Sequence, residues 1–158
     1  MAGVYNRIGR RLGGRYTEGN GRYSHMEFAY SDGMSWSASF EDKGIRGKFI
    51  GYSTITAWDF LRLPDQWEQP SREWMQAHEG LGYDWFGQLQ FVLGFARTAH
   101  PVKRWCSEAC IESVAQQLGL GRTPLCSPDE AWDLLRAAGC AYVPFIHGHL
   151  QKQERTAP

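Results

Sequence analysis

The sequence predicts an α+β fold, an antiparallel β-meander packed against helices, from three observations. Strand-like alternation fills Tyr23 to Leu63, turn signals break it at regular intervals, and helical periodicity takes over after Pro70. Strands first and helices after is the pattern of an antiparallel sheet with helices on one side. A chain of 158 residues is long enough for one core and short for two.

The elements can be justified in order. Val4, Ile8 and Leu12 stand at helical spacing before "GGR", so a short helix and then a loop are expected in a basic arm over residues 1–22. "SHMEFAY", "MSWSASF", "GIRGKFI" and "ITAWDFLRL" follow as strands, separated by "SDG", "EDK" and "GYS". In the first hairpin, Met26, Phe28 and Tyr30 share one face, as do Met34, Trp36, Ala38 and Phe40. Matching those faces pairs Tyr30 with Met34 across Ser31-Asp32-Gly33, with glycine at the left-handed position. The other face then sets His25, Glu27 and Ala29 against Ser39, Ser37 and Ser35.

Ser71 is the expected cap of the "REWMQAHEG" helix, and "DWFGQLQFVLGFA" reads as a largely apolar helix. The helix from Cys106 places Ile111, Val114, Ala115 and Leu118 on one face and stops at Gly119. "SPDEAWDLLRAAG" carries a capping box, Ser127 to Glu130, with Pro128 in the first turn. The domain is expected over residues 23–145, with a polar tail at 146–158.

Composition narrows the function. Lys plus Arg and Asp plus Glu are both 17, so the molecule has no net field to draw it to nucleic acid, and no nucleic-acid partner is expected. Five arginines, Arg7, Arg10, Arg11, Arg15 and Arg22, face only Glu18 in the arm, a solvated surface or a contact for an acidic partner. "GLGYDW" and "GLGRTP" lack the last glycine of a dinucleotide loop. No apolar run approaches the roughly 18 residues that cross a bilayer. The start has no apolar signal core, so cytoplasmic synthesis without a classical signal peptide is expected, with virion association open. Four cysteines without CxxC spacing read as reduced thiols. His147 and His149 raise zinc, but no second pair stands at ligand spacing, so neither metal nor other cofactor is expected.

The chemistry centres on "RWCSEAC". A thiol in the first turn of a helix loses pKa to the unpaired backbone N–H groups, and a histidine beside it would complete an ion pair. Cys106 has that position, and His25 is the one histidine inside a predicted strand among polar side chains. Cys110, one turn on, reads as a packing residue. On residues alone, a buried thiol and a hydrogen-bonded core histidine account for the same pattern. Trp36, Trp85 and Trp105 read as packing, and Glu108 as support for the first helical turn.

"YSHMEFAYSDG", "SWSASFEDKGIR", "GYDWFG" and "RWCSEA", in that order, resemble the circularly permuted branch of the NlpC/P60 papain-like cysteine hydrolases, in the short form found in phages and bacteria. The resemblance covers Tyr23 to Leu135 and implies a permuted papain-like fold with the histidine strand before the cysteine helix. It implies Cys106 as nucleophile and His25 as general base. The family's third residue follows about twelve positions after the histidine, which falls on Ser37, where His, Glu or Asp is more usual. Glu27 is the runner-up, although side chains two apart on a strand project in parallel. The oxyanion would meet the Cys106 backbone N–H, with Tyr83 a candidate donor, unless Tyr83-Asp84 is only a helix start capped by Asp84.

The resemblance implies attack on an amide or acyl bond, with peptidoglycan peptides the natural substrate. An acyl-lipid hydrolase or acyltransferase is the lesser variant. The alternative is a non-catalytic virion or tail module that kept the fold and binds other virion proteins.

Overall fold

A computed structural model describes residues 2–5, 23, 25–50, 52, 58–87 and 100–143. The first hairpin has the register that its apolar pattern requires. Strands β2 (His25–Ala29) and β3 (Met34–Ser39) pair Phe28 with Trp36 and Ala29 with Ser35. The Tyr30 amide donates to the Met34 carbonyl at 2.9 Å. Gly33 closes the loop at φ 85, a conformation that side chains resist. Strand β4 (Gly44–Phe49) continues the meander, pairing Met34 with Phe49 through to Ser39 with Gly44.

The fourth strand departs from the expected meander. Strand β5 (Trp58–Arg62) does not follow β4, whose outer edge is taken by residues around β6 (Gly82–Tyr83), with Ile45 N–H on Leu81 O and Gly80 N–H on Ile45 O, both at 2.9 Å. Between β2 and β5 lies β1 (Ala2–Tyr5), which corrects the helix expected at the start of the chain. Val4 pairs with Met26 on one side and Asp59 on the other, and two ladders outweigh a helical spacing of three residues. Ile8 and Leu12 lie outside the described residues, as do all five arginines of the arm. With β7 (Lys103–Arg104) and β8 (Ala141–Val143), the order is β7-β6-β4-β3-β2-β1-β5-β8. Among the described strands, only β6 and β7 run parallel. The domain therefore reaches back to residue 2.

Helix α1 (Glu68–Ala77) begins three residues before Ser71, the expected cap. Pro70 is tolerated in its first turn, where no intrahelical N–H is needed. Ser71 is instead buried, hydrogen-bonded to Tyr30 Oη at 2.6 Å and to Ser113 Oγ at 2.9 Å. Helix α2 (Cys106–Ser113) is shorter than its periodicity suggested, and turns carry the chain from Val114 to Gly119. Helix α3 (Pro128–Ala137) has the full capping box. Tyr23 fastens the entry to β2, donating from its hydroxyl to Asp59 at 2.8 Å and packing on Trp132 at 5.0 Å.

Met26, Phe28, Trp36, Ala38 and Ile45 from the sheet share one core with Met75, Ile111, Val114 and Leu135. Trp36 and Trp105 are buried as expected; Trp85 is 54% exposed. Phe40 falls past the end of β3 and is also exposed. The apolar helix after Asp84 is described only over residues 85–87, and the tail lies outside. Among the described residues, no helix is long and apolar enough to cross a membrane.

Candidate functional site

Cys106 is the first residue of α2, and Trp105 before it is extended (φ −95, ψ 177), so the chain turns into the helix at the thiol. Cys106, Cys110 and Ser113 recur at helical spacing and turn one face of α2 inward. Cys106 lies beside the His25 imidazole, where each shifts the other's proton affinity, Cys110 Sγ stands 3.9 Å from the Met26 carbonyl, and Ser113 bonds Ser71. His25 opens β2, with its side chain one quarter exposed, whereas Cys106 is 1% exposed.

The imidazole also engages a carboxylate. His25 Nε2 lies 2.8 Å from Glu27 Oε1, leaving Nδ1 for the sulfur, since each ring nitrogen offers one site. Glu27 is buried, and its second partner comes from β4. Arg46 Nη2 donates to Oε1 at 2.6 Å and Nη1 to Oε2 at 2.9 Å. Arg46 Nε in turn donates to Asp42 at 2.7 Å, and Asp42 accepts from Lys48 at 2.5 Å.

These contacts set the protonation states. Burial by itself would depress His25, but the Cys106 thiolate and Glu27 carboxylate outweigh it and lift the imidazole to about 10. Burial would likewise raise Cys106; the His25 charge and hydrogen bond, with backbone amides of Met26 and Ser107, bring it below the ordinary thiol value. Glu27 is held low against its burial by His25 and Arg46. Cys110 shows the contrast: burial, with the charges of Cys106 and Glu27, pushes it well above a free thiol. One helical turn separates a cysteine held below the ordinary thiol value from one pushed above it.

Ser37 is not the imidazole's orienter. Its hydroxyl donates to the Met26 carbonyl at 2.6 Å, and the partner of His25 is Glu27, two residues along the same strand. Parallel projection does not keep them apart, because both side chains are long enough to bend together and Arg46 pins the carboxylate from two strands away. Continuing the hairpin register sets Glu27 opposite Ser37, and Ser37 pairs with Arg46. A short serine in the middle leaves room for the guanidinium to reach across. Only the register carried on to β4, which sets an arginine beyond that serine, would have pointed to Glu27.

Tyr83 lies in β6, paired through its backbone with Arg104, two residues ahead of Cys106, and its ring packs edge-on to Phe40 at 6.0 Å. Asp84 caps the next helical turn, accepting from Gly87 N at 3.0 Å. Glu108 lies in the first turn of α2, 3.9 Å from Arg104 Nε. Burial raises it to about 7 against the pull of Arg104 and the Trp105 amide, and Glu112 and Asp84 add to the rise.

All four cysteines are unbridged and buried. Among the described residues no three or more metal-ligating side chains gather, and His147 and His149 lie outside them. Comparison with known proteins finds no match to a family model, a curated protein or a solved structure.

Proposed function

We propose that the protein is a cysteine hydrolase built on a permuted papain-like domain, with Cys106 as nucleophile, His25 as general acid and base, and Glu27 as the residue that orients and charges His25. The observation that carries this is a thiol at the N-terminus of a helix, beside an imidazole that is itself 2.8 Å from a buried carboxylate. The thiolate attacks an acyl carbonyl, and the oxyanion meets the Cys106 backbone N–H, assisted by Tyr83. Imidazolium gives its proton to the leaving amine as the C–N bond breaks and a thioester forms. His25 then takes a proton from water, whose oxygen attacks the thioester and releases the acid and the thiolate.

The resemblance in sequence favours a peptidoglycan peptide as the amide, with an acyl lipid or an acyl transfer as the variant. The test is iodoacetamide labelling of the native protein from pH 5 to 9, read by mass spectrometry. Labelling fast at Cys106, with an apparent pKa below about 8.5 that rises in His25→Ala, supports the reading. Cys106→Ala should then lower turnover of cell-wall fragments by roughly 10⁴-fold or more.

A non-catalytic virion or tail module is the second reading, favoured by the near-complete burial of Cys106. Labelling as slow as that of Cys110 and indifferent to His25 would decide for it.

A further inference from the structure

We propose that Arg46 is a positioning residue for this site, acting through Glu27 to keep the buried charges balanced so that Cys106 rests as a thiolate. The inference rests on the cysteine-hydrolase reading above and deepens it.

Glu27 is 1% exposed, so protein groups must meet its charge. Both its oxygens are taken by a two-pronged guanidinium, and the oxygen that holds His25 is shared with it. Thiolate, imidazolium, carboxylate and guanidinium then alternate in sign and sum to zero. Asp42 and Lys48 continue the alternation outward, to side chains 29% and 41% exposed. Among the described residues, the remaining titratable groups near Glu27 are Cys110, whose pKa is raised well above the thiol value, and Tyr52, raised to about 12 by burial, with Ser35 at 2.6 Å from its hydroxyl; both are neutral at pH 7.

Remove the guanidinium and one net negative charge stays buried. The relief that keeps Glu27 paired with the imidazolium is a proton on Cys106, and that proton ends the thiolate state. Arg46 thus acts on the nucleophile without touching it, and lysine would supply the charge without the fork.

The experiment is the rate and pH midpoint of Cys106 alkylation by iodoacetamide in the full chain. It compares wild type, Arg46→Lys, Arg46→Gln and the double substitution Glu27→Gln/Arg46→Gln, each checked by circular dichroism. Arg46→Gln should label about tenfold slower or worse at pH 7, with its midpoint raised by roughly one pH unit. Arg46→Lys should fall between it and wild type. The double substitution removes one charge of each sign and should label faster than Arg46→Gln, a recovery that a merely structural arginine does not predict. If Arg46→Gln does not fold, a double variant that folds and labels at a midpoint below a free thiol supports the charge argument. A double variant no faster than Arg46→Gln, or one that also fails to fold, overturns it. A wild type that labels slowly at pH 7 overturns this inference together with the hydrolase reading. A fast wild type with an indifferent Arg46→Gln overturns this inference alone.

Discussion

Between the lowered pKa of Cys106 and that of His25 near 10, the pair rests as thiolate and imidazolium. Turnover should therefore rise with pH as Cys106 ionises and fall as His25 loses its proton at about 10, a limb that pH–rate profiles of kcat/KM would locate. Glu27→Gln removes the charge that sustains the imidazolium. It should cut turnover by about 10²- to 10⁴-fold and draw the basic limb downward. Ser37→Ala should leave the labelling rate of Cys106 nearly unchanged and cost about 1–3 kcal/mol in urea unfolding, because it leaves the buried Met26 carbonyl only the weak Cys110 thiol as side-chain donor. Cys106 was legible as the first residue of a periodic segment, and His25 as the polar member of a strand with fixed register. The Glu27 contact was not, because it depends on the third strand and its arginine.

At the scale of elements, what was legible was local. The Ser127–Glu130 box and the Tyr30–Met34 turn close within a few residues, so their chemistry is written contiguously. Strands β1, β6, β7 and β8 have two to four residues each, too few for a period of two to stand out, and they exist through their neighbours. The support of α2 is one such non-local matter. A Cβ on Gly87 would lie 2.3 Å from Asp84 Oδ2 and 3.0 Å from the ring of Trp105, the residue at the cap of α2. Gly87→Ala should cost about 1–3 kcal/mol and slow Cys106 labelling. Ser127→Ala, at the start of α3, should cost about 1 kcal/mol and leave labelling alone.

For the molecule as a whole, Glu108 gives stability a slope with pH. Its folded pKa of about 7 lies above the ordinary 4.5, so the native state holds a proton there that the unfolded chain has released. The stabilisation is complete below about 4.5 and is lost as pH rises through 7. Its Oε2 is buried without a hydrogen-bond partner among the described residues, which suits the neutral acid. Urea midpoints at pH 5 and pH 8 should therefore fall more for wild type than for Glu108→Gln, which keeps the shape and cannot ionise.

The place of β1 bears on how the protein can be handled. Read as a loose basic arm, the first 22 residues invite trimming to a chain that starts at Tyr23. That cut would take out a strand hydrogen-bonded on both sides, parting β5 and β8 from the other five strands. It would lay bare two long edges, one of them the flank of His25 that Tyr5 covers. Exposed edges of that kind recruit one another. A trimmed protein recovered as aggregate, with its thiol unreactive, would speak of a divided sheet and not of the chemistry of Cys106.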